Sequence, residues 1–499
     1  MKKVLKFVLP ILVIFGLIFL SYIAYIAFKP KEVVPVNYVS IGDTLLEQSS
    51  YSLALEQYKK GINQDPKSDL GYIKASNIYL LKNDTEQSLK ILLEGAKNSE
   101  STDIYFELVK VYGRLKDYSK SYDSALKVTK LNDANISEIF YAYINNGKVS
   151  EAKTLLETYL SENSSSDAKL NLIAGLLNYP DAVKANTYLI KATVIKEGDS
   201  VDTTKWVKDL SDTLAKITAD ASKEQIDTNM SNIARLMILS KLNGSAITIL
   251  DEVVKKNAEF DLIYLLRGIA KLQANDISAA KVDLEKANSL NPIREETLTY
   301  LARVYTLEKN VQGASEIYDK AIGLFPASES LLSDNYSMLL EAGLYSKADI
   351  TLQKLIALKG ANTFKYKVEQ ARMYLDNLAS YDEVLKLTDE IINKLPDYEK
   401  ADNKVKAEVQ LYDIWAKYKK SATSTTKYTQ SQLIDAFNQV LLKYYSNSAR
   451  AYLYQGNIYL TENADKNIAK AREVLMKCID LDLNNRFTKE ANELLKKTI

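Results

Sequence analysis

Small residues recur along this chain at one position of a repeated pattern of apolar and polar residues. Nine intervals separate ten such positions; eight intervals lie between 31 and 36 residues, and one is 61 residues long. The positions are Ala54, Ser88, Ser121, Ala152, Ala185, Ala246, Ala280, Ala314, Ala348 and Val384. Four residues after most of them stands a Leu or a Tyr. Since neighbours on a helix are three or four residues apart, a period near 34 residues predicts a series of helix pairs.

The first half of each unit has its apolar side chains spaced for one face of an α-helix. Residues 38–45 have this face at i, i+3, i+4 and i+7, and the same spacing returns at 298–305 and 452–459. The i+4 residue of each of these faces is small: it is Gly42, Ala302 or Gly456. We therefore expect two helices to approach each other closely at these points.

Proline marks the end of the pattern in four units. Twelve residues after the small position stand Pro66, Pro292, Pro326 and Pro396, which are half of the 8 prolines in the chain. Because proline breaks the interior of a helix, this position predicts where one helix pair ends.

These residues resemble the tetratricopeptide repeat (TPR). Residues 38–66, 264–292 and 298–326 match its order of aromatic or Leu, Gly or Ala, Tyr or Leu, Ala, Tyr or Leu, Ala and Pro. Ten units lie in 35–396, and one or two degenerate units follow in 400–483. The resemblance implies an all-α, TPR-type α-solenoid, a right-handed superhelix of helix pairs. It also implies that the first helix of each pair lines a concave surface, where partner peptides or helices bind.

A longer interval and a polar end divide the array into parts. The 61-residue interval is longer than one repeat, and we place the additional residues near 198–226. Trp206, Leu210, Leu214 and Ile217 have helical spacing there. Arrays need a polar helix to cover their last apolar face. The predicted parts are a basic tail 1–6, a transmembrane helix 7–28, a linker 29–35, an N-terminal TPR part 36–197, an irregular helical insertion 198–226, a central TPR part 227–396, degenerate units 397–483 and a capping helix 484–499.

The segment 7–28 is an apolar run that contains no charged residue. Its 22 residues form a helix of about 33 Å, enough to cross a bilayer core of about 30 Å. A cleaved signal peptide is the alternative, but it has a shorter apolar core and small residues at positions −3 and −1 of the cut. Here Ala24 and Ala27 are preceded at −3 by tyrosines. The sequence favours an uncleaved anchor.

Lysines on both sides of the apolar run bear on its orientation. They are Lys2, Lys3 and Lys6 before the run and Lys29 and Lys31 after it. The small positive excess before the run predicts a single-pass protein of the cell membrane, with its N-terminus in the cytoplasm and its TPR body outside. The alternative is a body that faces the cytoplasm.

Composition excludes several catalytic classes. The chain has no histidine and one cysteine, Cys478, so histidine-based triads, histidine-ligated zinc, disulfides within the chain and four-thiolate clusters are excluded. The 65 basic and 64 acidic residues nearly cancel, which argues against a general nucleic-acid binder. We expect no enzyme activity, no cofactor, no metal and no small-molecule substrate. Cys478 stands at a packing position, so we expect a buried, unreactive thiol.

The residue after the small position of each first helix is expected to face the concave surface. The candidates for partner binding are Asn77, Lys110, Tyr141, Arg235 and Arg303. The alternative for each is a solvated helix surface without a partner. TPR modules that grip a peptide carboxylate use Lys and Asn in successive units, and only Asn77 and Lys110 fit loosely here, so we expect no such clamp. Most tyrosines stand at packing positions.

The predicted function is a membrane-anchored TPR scaffold that binds partner proteins or peptides on its concave surface. With the body outside the cytoplasm, it would support assembly or chaperoning of envelope or secreted proteins. The first alternative is a cytoplasm-facing assembly factor for a membrane complex. An alternative of another class, a glycan-binding or hydrolytic envelope protein, needs a cluster of aromatic side chains or paired carboxylates on the same surface.

Overall fold

The chain folds into paired α-helices that follow one another in sequence order. The computed structural model describes residues 36–163, 167–192, 201–216, 223–421, 429–461 and 467–498. These ranges contain 27 α-helices and a short 3-10 turn (Lys496–Thr498), and they contain no strand. This confirms the predicted all-α, TPR-like solenoid.

The membrane prediction concerns residues that the structure does not describe. The basic tail, the transmembrane helix 7–28 and the linker up to residue 35 all lie outside the described residues. Among the helices of the described ranges, none has both the length and the apolar character needed to cross a bilayer.

Ten helices form the N-terminal part. They are α1 (Tyr38–Glu47), α2 (Tyr51–Gln64), α3 (Asp69–Leu81), α4 (Thr85–Asn98), α5 (Thr102–Arg114), α6 (Tyr118–Ala125), α7 (Ile136–Asn145), α8 (Val149–Glu162), α9 (Ala168–Leu177) and α10 (Ala182–Ala192). An additional helix, α11 (Val201–Ala215), follows in the region of the long interval and packs against α9, α10 and the next helix, α12 (Lys223–Leu239).

The central and C-terminal parts continue the alternation of first and second helices. They comprise α13 (Asn243–Lys256), α14 (Asp261–Gln273), α15 (Ile277–Leu290), α16 (Glu295–Leu307), α17 (Val311–Leu324), α18 (Glu329–Glu341), α19 (Tyr345–Ala357), α20 (Thr363–Asp376), α21 (Tyr381–Lys394), α22 (Asp397–Lys400), α23 (Asn403–Ser421), α24 (Gln430–Lys443), α25 (Ala449–Tyr459), α26 (Ile468–Leu481) and α27 (Thr488–Leu495). Helix α27 packs on α26 and α25 at the end of the array.

A short turn with a left-handed residue and a helix cap joins the two helices of many pairs. Asn83 has φ +59°, and the carboxylate of Asp84 accepts a hydrogen bond from the backbone N–H of Gln87 at 3.0 Å. The same turn and cap occur in the central part, where Asn275 has φ +67° and Asp276 is the capping residue. The left-handed residue ends the first helix, and the capping aspartate starts the second within two residues.

The residues of the repeat pattern form the core. All ten small positions, from Ala54 to Val384, are buried, and so are Tyr58 and Tyr318, as the pattern predicted. The helices before three of the phased prolines end at Gln64, Leu290 and Leu324, and α21 ends two residues before Pro396. Burial of this repeated face between neighbouring pairs is what stabilises the array, because a single pair cannot cover it.

Successive first helices lie closer together than successive second helices. Helix α3 contacts α5, α12 contacts α14, and α14 contacts α16, whereas neighbouring second helices in the described ranges make no comparable contact. First helices are therefore on the inner side of the curve. We call the surface formed by α1, α3, α5, α7, α9, α12, α14, α16, α18, α20, α23 and α25 the concave surface.

Candidate functional site: the concave surface

Two arginines of the concave surface form ion pairs between different first helices. Arg235 of α12 donates to both carboxylate oxygens of Glu296 on α16, at 3.2 and 3.3 Å. Arg303 of α16 pairs with Asp334 of α18 at 2.7 Å. The side chains of Arg235 and Arg303 stay 42% and 40% exposed. Because the pairs are open to solvent, each contributes little to stability and can be exchanged for another carboxylate.

The three candidates in the N-terminal part have different surroundings. Asn77 is exposed on α3. Lys110 pairs with Glu107 of its own helix at 2.5 Å and lies 5.1 Å from the centre of the Phe106 ring. The Tyr141 hydroxyl donates to the backbone carbonyl of Ser240 at 3.0 Å, across the concave surface. Burial raises the pKa of Tyr141 to about 12.

A polar cavity of about 400 Å³ lies between α11 and α12. Arg235 forms part of its wall, together with Trp206, Leu236 and the exposed Leu239. Further charged lining comes from Lys205, Asp209, Asp212 and Lys216. Of the five candidates, Arg235 is the one beside this cavity. Trp206 and Leu239 were not among the predicted site residues, although the 61-residue interval had indicated an extra helix here.

A second group on the concave side joins α20, α23 and α25 and was not predicted from the sequence. The buried guanidinium of Arg450 donates to Asp376, Glu408 and the hydroxyl of Tyr454. The ring of Trp415 stacks on Tyr454 with centroids 4.0 Å apart and planes 3° apart. Its position in the degenerate units explains why the periodic pattern gave no signal.

Residues from the loop after α26 cover this group. Arg486 hydrogen-bonds to the same Asp376 carboxylate, and the Phe487 ring centre lies 5.0 Å from the Arg450 guanidinium carbon. Burial alone raises the pKa of Asp376, but the hydrogen bonds and charges of Arg450 and Arg486 outweigh it and hold the pKa below its ordinary value. Burial raises the pKa of Tyr454 to about 12. The group is a packed, ionised network rather than an open site.

The concave surface brings together groups suited to binding, namely exposed arginines, an aromatic side chain and an open cavity. Within the ranges described above, no group of three or more Cys, Asp or Glu side chains is placed to hold a metal ion.

Residues 237–455 match the family described as the Psidin N-terminal TPR repeats region. This match covers less than half of the chain. One similar protein is the BBSome complex member BBS4 of Bos taurus, which is 28% identical over 127 residues, or 25% of this chain. The chain spans about a quarter of that relative's length, namely 24%.

Several solved structures of helical repeats are similar to the chain at low identity. The APC/C heterotetramer Cut9–Hcn1 is 16% identical, with 92% of this chain and 95% of that chain covered and a TM-score of 0.32. Naa15/Naa10 bound to HypK-THB is 14% identical, with 91% of this chain and 89% of that chain covered and a TM-score of 0.37. Yeast Tom70 is 14% identical, with 92% of this chain and 90% of that chain covered and a TM-score of 0.29. These TM-scores are too low for any inference about partners. The Psidin-type match and the paired helices together support a tetratricopeptide repeat protein, whose fold is typical of protein–protein interaction.

Proposed function

We propose that this protein is a membrane-anchored scaffold that binds partner proteins or peptides on its concave surface. The observation that carries the proposal is the cavity of about 400 Å³ beside Arg235. It combines a guanidinium and the Trp206 ring, which are side chains of the kinds that dominate binding energy at protein interfaces, with the exposed apolar side chain of Leu239. We propose the same role for Asn77, Lys110, Tyr141 and Arg303.

Exchange of ion pairs supplies the binding mechanism. The Arg235–Glu296 pair is half exposed on both sides, so breaking it costs about 0–1 kcal/mol. An incoming acidic side chain can take the place of Glu296 while an adjacent apolar side chain packs against Trp206 and the exposed Leu239 of the cavity wall. The partner segment that suits this arrangement is an extended or helical peptide with neighbouring acidic and apolar residues.

The membrane part of the proposal rests on the sequence of residues 7–28. An anchor would hold the concave surface near the bilayer, which raises the local concentration of partners that are also membrane-bound. With the body outside the cytoplasm, the partners would be envelope or secreted proteins during assembly or folding. With the body inside, the same surface would serve assembly of a membrane complex.

Site-specific photo-crosslinking in cells tests the binding proposal. A crosslinking amino acid replaces Arg235 in one variant and Arg303 in another, and the matched control replaces Lys255, which is 69% exposed on the second helix α13. We expect discrete crosslinked species from positions 235 and 303 and few from position 255. Equal yields from all three positions would contradict a concave binding surface.

Protease protection tests the orientation separately. We expect protease added to intact cells or spheroplasts to digest the TPR body without permeabilisation. Digestion that requires permeabilisation would favour the cytoplasm-facing alternative, and recovery of the chain in the soluble fraction would contradict the anchor.

A further inference from the structure

The first two units of the array contact its last units. The backbone N–H and the hydroxyl of Ser52, at the start of α2, both donate to Oδ1 of Asp480, at 2.8 and 2.6 Å. The Lys82 ammonium lies 3.4 Å from the same oxygen. One carboxylate at the end of α26 therefore holds two turns that lie about 400 residues earlier in the chain.

Two further hydrogen bonds flank this carboxylate. Asn447, in the loop before α25, donates its side-chain N–H to the hydroxyl of Ser49 at 2.8 Å. Asn485, in the loop after α26, donates its side-chain N–H to the backbone carbonyl of Lys82 at 3.3 Å. The contact thus joins the first-to-second helix turns of two N-terminal units to the loops on both sides of the last pair.

The composition of the contact differs from that of the array. The apolar core around Tyr58 is built from residues 39–112 and the one around Phe437 from residues 364–495, so neither core extends across the contact. The ends are held by hydrogen bonds and one ion pair. Such a contact can open without exposing a core, and its ionic part weakens as salt screens the Lys82–Asp480 attraction.

We propose that Asp480, Ser52 and Lys82 form a reversible latch that closes the array end to end. In a helical-repeat array each unit contacts only its neighbours, so small changes between units add up to large changes in curvature. A contact between the two ends removes that freedom when it is closed and returns it when it opens. Partner binding at the concave surface, where it occurs as proposed above, is then linked to the state of the latch.

A zero-length carbodiimide crosslink between native Lys82 and Asp480 tests the latch in the full chain without any substitution. We expect a crosslinked peptide pair at low salt, within one chain, and a lower yield of it at 1 M NaCl, where the Debye length is about 3 Å. The control pair is Lys417 and Asp413, 2.6 Å apart within α23, whose crosslink should persist at both salt concentrations. No Lys82–Asp480 product beside a normal control product would overturn the latch. Products only between isotope-labelled and unlabelled chains would overturn it as well.

A charge reversal tests the consequence for shape. Asp480→Lys places two ammonium groups together, and we expect a shift to a larger radius of gyration in solution scattering. The matched control is Glu473→Lys, on an exposed position of the same helix α26, which should keep the wild-type value. Equal radii for all three proteins, each with wild-type helical content, would overturn the proposal. Both readouts are independent of any partner, so a failure of concave binding would leave them unchanged.

Discussion

The guanidinium of Arg450 forms a bidentate pair with the carboxylate of Asp376, which precedes it by 74 residues. Nη1 and Nη2 of Arg450 donate to the two oxygens of Asp376 at 2.8 and 3.0 Å. Nε donates to Glu408 at 3.0 Å. Arg450 is only 2% exposed, so its charge is compensated almost entirely by these two carboxylates. Three first helices of the C-terminal part are thereby joined through one side chain.

Asp376→Ala is expected to destabilise the C-terminal units by about 3 kcal/mol, because the buried guanidinium of Arg450 then keeps only one of its two carboxylate partners. The measurement is urea unfolding followed by Trp415 fluorescence in a Trp206→Phe background, since Trp415 stacks within this group. A local probe is needed because repeat arrays do not always unfold in one step. The control Asp389→Ala, on a side chain that is 57% exposed, should change the stability by less than about 0.5 kcal/mol. Equal losses in both variants would contradict the role of Arg450.

Acid is expected to weaken the same units through Asp376. Burial raises its pKa, but Arg450 and Arg486 hold the pKa below its ordinary value in the folded chain. A carboxyl with a lowered folded pKa stabilises the protein above the unfolded pKa of about 4, and this contribution is lost as the pH falls through the folded pKa. Wild type should therefore lose more stability than Asp376→Asn between about pH 5 and pH 2. The check is the urea midpoint of Trp415 emission across this range, and parallel curves would contradict the prediction.

The sequence predicted the parts of the fold that depend on neighbouring units. Ala280 and Ala314 stand 34 residues apart and are both buried, because each packs in the same way against its own pair. The proline at 292 or 326 likewise follows a helix end two residues earlier. Nearest-neighbour packing repeats with the sequence, so a periodic pattern is sufficient to predict it.

Contacts between distant units could not be predicted from the periodic pattern. Asp480 was an ordinary acidic residue at a helix end in the sequence, yet it accepts hydrogen bonds from Ser52. Arg450 stood in degenerate units, and its partner Asp376 cannot be identified from spacing. For the candidate site, the pattern predicted that Arg235 belongs to a first helix, but the cavity beside it depends on α11, which interrupts the repeat.

Cys478 is expected to resist alkylation in the folded chain. Its side chain is fully buried in α26, and burial raises the pKa of the thiol to about 12. At pH 8 the thiolate fraction, and with it the rate with iodoacetamide, should be about 10³-fold below that of an exposed thiol. The exposed control is Asn77→Cys, followed in the same sample by peptide mass. Modification of Cys478 at the rate of position 77 without denaturant would contradict this packing.

A matched pair of glycine substitutions tests close packing between the helices of one pair. A Cβ at Gly456 would lie 2.4 Å from Cδ2 of Leu475 on α26, whereas a Cβ at Gly323 in α17 would meet nothing within 4 Å. Gly456→Ala should therefore lower the free energy of unfolding by about 1–3 kcal/mol, as overpacking does. Gly323→Ala removes backbone freedom from the unfolded chain at no steric cost and should leave the free energy unchanged or raise it by up to about 1 kcal/mol. Native-state hydrogen exchange of α25, α26 and α17 measures each change where it occurs. Equal protection of α26 in wild type and Gly456→Ala would mean that Leu475 can move aside, and that the small residue of the repeat is not required for the approach of the two helices.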